Sequence, residues 1–137
     1  MNVRRLRAVA AGAVLAASLA VLAPAAARAD NGDNQPGCAH GEICFWYDTH
    51  DTYQKQFWYN ADHGGNNFMF YDQYNYRVSD QRLQDNALQV TNRDTQCRVR
   101  VGDLSGGLWT WREFPNNNAR YQLGDINNRN DRHERLC

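Results

Sequence analysis

Apolar and polar residues alternate in short runs along the chain after residue 40. Segment 43–47 is β-branched and aromatic, and segments 98–101 and 108–114 alternate between polar and apolar side chains. Gly, Pro, Asn and Asp bound these runs, which is typical of short β-strands joined by turns. No helical repeat of useful length follows residue 29. We therefore predict an all-β domain with strands at 43–47, 56–59, 68–71, 86–92, 98–101, 108–114 and 119–123.

The first 29 residues have the pattern of a secretory signal peptide. Three arginines near the start precede an apolar run that reaches Leu22, and Ala27 and Ala29 form a small-residue cleavage site. The alternative, a membrane anchor, is disfavoured because the apolar run is short and no basic stop follows it. We predict a signal peptide at 1–29 and a secreted, extracellular protein that is free of the membrane after cleavage.

Removal of this segment leaves 108 residues, enough for one domain. The segment carries four arginines and no acid, so the remainder has 11 basic and 15 acidic side chains, a formal charge of −4. This balance argues against nucleic acid as a partner. Residues 30–37 are polar and predict a flexible N-terminal tail before a domain at 38–137.

Export also determines how the four cysteines are interpreted. In an oxidising compartment they predict two disulfides, and the chain lacks the paired cysteines and spaced histidines of a zinc site. Of the three pairings, the short spacing between Cys38 and Cys44 favours a local bridge, which leaves Cys97 and Cys137 to form a long one.

Gly41-Glu42-Ile43-Cys44-Phe45-Trp46, preceded by Cys38, resembles the opening of secreted actinobacterial proteins of the streptomycete metalloproteinase inhibitor family, peptidase inhibitor family thirty-six. A second unit begins at Cys97 and contains Gly106-Gly107. The resemblance covers about 38–137 and implies two Greek-key motifs in a βγ-crystallin-like sandwich. Asn/Asp pairs precede the final strand of each motif, at 85–86 and 130–131.

The resemblance also implies a function, the inhibition of thermolysin-like metalloproteases by a rigid, substrate-like loop. Such enzymes favour an apolar residue after the scissile bond. The segment Cys97-Arg98-Val99 is the first candidate for the reactive site, and Gly106-Gly107-Leu108 is the second. The alternative is an ordinary strand with Val99 and Val101 buried. We expect a monomer that binds an extracellular peptidase and needs no cofactor.

Calcium is a further property of crystallin-like proteins. Their sites place Ser or Thr shortly after each Asn/Asp pair, where this chain has Gln89 and Glu134. A calcium ion takes six to eight oxygen ligands, and neither half offers such a set. We therefore expect no metal, and the one alternative is a calcium site that uses Asp131 and Glu134.

Other functional classes leave weaker patterns. The chain has no HExxH or GxSxG sequence, and the serines after residue 29, Ser79 and Ser105, lie in polar contexts, so we expect no enzyme. A carbohydrate- or cell-wall-binding module could use Trp58, Trp109 and Trp111, the last two on one face of a strand. A tryptophan pair buried in the core is the simpler interpretation. A crystallin-like toxin is a related alternative.

Overall fold

The computed structural model describes residues 32–137, and the predicted signal peptide lies outside the described residues. The described chain is all-β, as predicted, with one 3-10 turn at Gly124–Ile126. None of its helical segments is long and apolar enough to cross a membrane. The strands are β1 (Ile43–Trp46), β2 (Tyr53–Phe57), β3 (Ala61–Asp62), β4 (Asn67–Tyr71), β5 (Tyr76–Arg82), β6 (Gln89–Asn92), β7 (Arg98–Ser105), β8 (Leu108–Phe114), β9 (Arg120–Gln122) and β10 (Arg132–Leu136).

The strands form two antiparallel sheets with related strand orders. One sheet has the order β5-β4-β2-β1-β6-β9 and the other has the order β8-β7-β10-β3. The two orders share a four-strand pattern, β2-β1-β6-β9 and β8-β7-β10-β3, in which three strands from one half of the chain are followed by a short strand from the other half. The hairpin of β4 and β5 extends the first sheet alone. β8 and β2 thus hold corresponding positions in the two sheets. β8 is the last strand of its sheet, whereas the outer edge of β2 pairs with β4.

The core lies between the sheets and is rich in aromatic side chains. Phe45 of the first sheet lies 5.1 Å from His133 of the second, measured between ring centroids. Large aromatic side chains bury about 150–250 Å² each, so a few of them suffice for a small sandwich. The buried apolar cluster comprises Ile43, Phe45, Phe57, Ala61, Phe68, Leu83, Ala87, Val90, Val99, Val101, Phe114, Leu123 and Ile126.

Both disulfides favoured by the cysteine spacing are present. Cys38 is bonded to Cys44, and Cys97 is bonded to Cys137. The long bridge ties the residue before β7 to the residue after β10, so it closes the base of the second sheet. Two such bridges are typical of proteins from oxidising compartments.

The described part of the predicted flexible tail, residues 32–37, forms hydrogen bonds with the domain. The Gly32 amide donates to the Gln56 carbonyl at 2.9 Å, and the Asp33 amide donates to the Glu42 carboxylate at 2.7 Å. Glu42 is fully buried and burial raises its pKa, and among the described residues its carboxylate accepts hydrogen bonds from the Asp33 and Ala39 amides.

Several strand predictions differ from the structure, and three of the differences bear on the sheets and the candidate residues. β5 was not predicted as a strand, because at the end of a sheet its side chains are largely exposed and carry no apolar alternation. β7 continues to Ser105 beyond the predicted segment, so the turn consists of Gly106 and Gly107 alone. β2 ends at Phe57, which leaves Trp58 outside the strand.

Candidate functional site

The hairpin of β7 and β8 is the most prominent feature of the second sheet. Its register runs without interruption through seven pairs, from Val99 opposite Phe114 to Ser105 opposite Leu108. The two loop residues have positive φ angles, 58° at Gly106 and 81° at Gly107. Positive φ at both central residues is the signature of a type I′ turn, whose twist matches that of the flanking strands. Glycine adopts this backbone without steric cost.

The outer half of this hairpin extends beyond the core. A strand in a sandwich normally buries every second side chain, but Leu108, Trp109 and Thr110 are all exposed. Leu108 is 76% exposed and Leu104, across the hairpin, is 47% exposed. Two large aliphatic side chains therefore stand in solvent at the tip.

A stack of indole and guanidinium groups covers the outer face of the second sheet. The rings of Trp109 and Trp111 are stacked, with centroids 4.9 Å apart and planes 19° apart. The Arg100 guanidinium lies over Trp111 at 4.3 Å, and the Arg132 guanidinium lies over Trp109 at 5.4 Å. We call these four residues the Arg–Trp stack.

Gly102 gives the indoles their place on the sheet. It lies opposite Trp111 in β8 and opposite Arg132 in β10. A Cβ atom added to Gly102 would lie 2.6 Å from a Trp111 ring carbon and 2.9 Å from a Trp109 ring carbon. Both indoles thus pack against the backbone at Gly102, where any side chain would clash with them.

Ion pairs surround the stack. Arg100 pairs with Glu134 at 2.6 Å, Arg132 pairs with Asp62 at 2.5 Å, and both arginines are partly exposed. The hydrogen bond from Arg132 lowers the pKa of Asp62, and the same contact raises the pKa of Arg132. An aromatic centre with arginines at its border has the composition of a protein-binding surface.

Comparisons of the chain with protein-family models, curated proteins and solved structures found no match. The candidate residues from the sequence lie at different places in the structure.

The first candidate reactive segment, Cys97-Arg98-Val99, is not available to a peptidase in this structure. Cys97 and Val99 are fully buried, and β7 is paired on both sides, with β10 and with β8. A peptidase cleft needs an extended segment whose backbone is free to pair. The alternative interpretation, an ordinary strand with Val99 and Val101 in the core, is confirmed. The second candidate, Gly106-Gly107-Leu108, lies at the exposed tip.

The three candidate tryptophans do not form one platform. Trp109 and Trp111 share a face as predicted, but a core pair is wrong, since Trp109 is 37% exposed and Trp111 is only half-buried. Trp58 packs on Gly41 beside the first disulfide, where a Cβ added to Gly41 would lie 3.0 Å from its ring.

The two candidate calcium ligands, Asp131 and Glu134, each bind donors of the protein. One Asp131 oxygen accepts from Gln84 at 2.6 Å and the other accepts from the Leu104 amide at 2.7 Å. Glu134 is held by Arg100. The carboxylates are thus engaged with donors of the protein.

A second cluster of metal-ligand atoms lies at the first disulfide. Ligand atoms of Cys38, Glu42 and Cys44 lie within 4.8 Å of one another. The sulfur atoms of Cys38 and Cys44 form a disulfide, so neither cysteine offers a thiolate to a metal.

Sequence reasoning missed the Arg–Trp stack and the projection of the hairpin. A clue exists, because a two-residue Gly106-Gly107 turn sets a register that places Gly102 opposite Trp111. The contribution of β10, which supplies Arg132 and Glu134, depends on a pairing across the whole second half of the chain.

Proposed function

We propose that this protein is a secreted peptidase inhibitor that blocks the cleft of a thermolysin-like metalloprotease with the tip of the β7–β8 hairpin. The observation that carries the proposal is Leu108, 76% exposed at the end of a regular hairpin. Most of the apolar surface of Leu108 is therefore left in solvent in the free protein. The side chain gains about 1.5–3 kcal/mol when an apolar pocket takes it up.

The hairpin is anchored on both strands. Cys97, the residue before β7, is bonded to Cys137, and Arg112 of β8 donates to the Leu123 carbonyl at 3.0 Å. The seven-pair register joins the strands between these anchors and the tip. A preorganised loop loses little conformational entropy on binding, so more of the contact energy is retained as affinity.

The backbone of the tip favours blockage over cleavage. Leu108 follows Gly107, as an apolar residue follows the scissile bond in substrates of such peptidases. Gly107 has a φ of 81°, which is not the extended conformation of a cleaved peptide. The tip can therefore fill the pocket with Leu108 while the preceding bond stays out of alignment.

For the fold we propose two Greek-key motifs in a βγ-crystallin-like arrangement. The related strand orders β2-β1-β6-β9 and β8-β7-β10-β3 support this, because each motif gives one short strand to the other sheet. The hairpin of β4 and β5 is then an addition to the first motif. Secretion is supported by the signal-peptide pattern and by the two disulfides.

Carbohydrate or cell-wall binding is the second candidate, supported by the exposure of Trp109. A sugar ring stacks on a free aromatic face. Trp109 and Trp111 each already have a neighbouring indole and an arginine over the ring. We rank this function second, because a sugar would have to displace one of those partners.

The test is a titration of the purified, oxidised protein against a thermolysin-type metalloprotease, with trypsin-like and subtilisin-like enzymes in parallel. We expect stoichiometric loss of the metalloprotease activity. Leu108→Asp should raise the inhibition constant on the order of a hundredfold, because it removes an apolar contact and buries a charge. Val78→Asp, an exposed apolar position on β5, is the matched control and should inhibit like the wild type.

If the folded wild-type protein inhibits none of the three enzymes, the inhibitor proposal fails. Binding to insoluble polysaccharide, compared between wild type and Trp109→Ala, then tests the second candidate.

A further inference from the structure

The outer edge of β8 carries a row of free backbone groups. In a two-residue hairpin the flanking residues, Ser105 and Leu108, exchange hydrogen bonds, and every second pair after them does the same. The intervening residues of β7 turn their backbone groups away from β8. Accordingly, the Gly102 carbonyl accepts a hydrogen bond from the Asp131 amide, and the Leu104 amide donates to the Asp131 carboxylate.

The same alternation applies to β8. Thr110 and Arg112 direct their N–H and C=O groups toward β7, and Trp109, Trp111 and Glu113 direct theirs away from the sheet. β8 pairs with β7 alone among the described strands. These three residues therefore present a pairing edge to solvent.

The other sheet ends are protected in ways that natural proteins use against unwanted pairing. β3 and β9 have only two and three residues. β5 pairs through an irregular register and carries Arg77, Asp80 and Arg82. β8 has seven residues, no irregularity in its register and no proline, although it carries Arg112 and Glu113 and Pro115 follows it. Short strands, bulges, charges and prolines are what normally disable an edge.

The first sheet offers an internal comparison. There β2 holds the position that corresponds to β8, and its outer edge pairs with β4 through Tyr53 opposite Phe70 and Gln54 opposite Met69. The second half of the chain supplies no such hairpin. The edge that the protein covers on one sheet is left open on the other.

We propose that an extended segment of the inhibited peptidase pairs with β8, through the backbone groups of Trp109, Trp111 and Glu113. This inference rests on the proposed function. β8 begins at Leu108. A segment of the peptidase next to the pocket that takes up Leu108 would therefore lie along the outer edge of β8. Strand addition gives affinity through main-chain bonds, and the indoles of the Arg–Trp stack supply the neighbouring side-chain surface.

The first measurement compares Glu113→Pro with Glu113→Ala as inhibitors. Both lose the ion pair between Glu113 and Arg98, but only proline also lacks the outward N–H. Proline is tolerated on edge strands where the N–H faces solvent. We expect the inhibition constant of Glu113→Pro to exceed that of Glu113→Ala on the order of tenfold or more. Near-UV circular dichroism confirms that both variants are folded.

The second measurement uses the wild-type protein, so it holds even if the proline variant does not fold. Amide hydrogen exchange is followed by NMR in the free protein and in the peptidase complex. We expect exchange at Trp109, Trp111 and Glu113 to slow at least tenfold in the complex. Exchange at Thr110 and Arg112 should be slow in both states, since those amides face β7.

The outcomes separate this inference from the proposed function. If Leu108→Asp weakens inhibition as expected but the two Glu113 variants inhibit equally and exchange at the three amides is unchanged, the inhibitor proposal stands and edge pairing is overturned. If the wild type inhibits no peptidase, both fail. Slow exchange at these amides in the free protein, together with a dimer in sedimentation, would assign the edge to a second copy and overturn the inference.

Discussion

His63 Nε2 lies 3.0 Å from His133 Nδ1, and both imidazoles are fully buried where the two sheets meet. The remaining nitrogens also have partners, since the Asn130 side-chain amide donates to His63 Nδ1 and His133 Nε2 lies 2.8 Å from the Tyr59 carbonyl. One proton on Nε2 of each ring satisfies these three contacts, and His63 Nδ1 also lies 3.2 Å from the Asn130 carbonyl oxygen. An added proton on His63 Nδ1 would face the Asn130 side-chain amide as well as that carbonyl.

This pair predicts loss of stability in weak acid. Burial and then the neighbouring His133 hold the pKa of His63 well below its usual range, and burial lowers the pKa of His133 to about 4. Unfolded histidines titrate near 6.5, so between those values the unfolded chain binds more protons. The free energy of unfolding should be fully retained above pH 6.5 and fall as the pH drops toward 4. Urea unfolding at several pH values measures this loss.

The matched comparison for acid stability uses exposed and buried histidines. Replacing exposed His50 with Gln should leave the pH slope unchanged, because this ring is largely in solvent. Replacing His63 and His133 together should remove most of the slope, whatever the absolute stability of the variant. Glu42 acts in the opposite direction, since burial raises its pKa. A slope that persists in the double variant would contradict the assignment.

Gly102→Ala should disturb the Arg–Trp stack. The added methyl group would lie within 3 Å of both indoles, so the rings must shift. We expect a destabilisation of about 1–3 kcal/mol, typical of overpacking, and loss of the near-UV dichroism from the stacked pair. Gly64→Ala is the control, since its nearest neighbour, the Gln84 side-chain oxygen, would be 3.4 Å away. An unchanged spectrum for Gly102→Ala would contradict this role.

The two disulfides should differ in their contribution to stability. Cys97 and Cys137 are 40 positions apart, and Cys38 and Cys44 are six apart. The chain-entropy relation assigns about 4 kcal/mol to the long loop and about 2 kcal/mol to the short one. Urea unfolding of the two double-alanine variants tests the order. A larger loss from the short bridge would show that the native contacts of the N-terminal segment outweigh loop entropy.

A chain that begins at Cys38 should be less stable than one that begins at Gly32. The truncation removes the Asp33 amide from the Glu42 carboxylate and the Gln35 carbonyl from the Gln56 side chain. A buried polar group that loses its partner costs about 1–3 kcal/mol. Thermal unfolding of the two chains makes the comparison, and equal midpoints would mean that water replaces these contacts.

Local features of the sequence were sufficient for most of the strands. Ile43–Trp46 and Leu108–Phe114 were predicted almost to the residue, because aromatic and β-branched runs between turn residues are typical of β-strands. β5 was missed because an end strand with largely exposed side chains has no apolar alternation. The burial of the candidate segment Cys97-Arg98-Val99 could not be predicted for a related reason. Its apolar Val99 fits a binding residue and a core residue equally well by sequence.

Composition and spacing were enough to predict the all-β class and to favour the cysteine pairing that the structure shows. The tertiary structure alone decided that Val99 is buried and Leu108 exposed, that Trp109 and Trp111 lie on a solvent face, and that β8 keeps an open edge. The burial of these side chains and the exposure of the β8 edge depend on the order of the strands in the two sheets. The pairing of β10 with β7 and of β4 with β2 joins distant segments, and no local pattern specifies it.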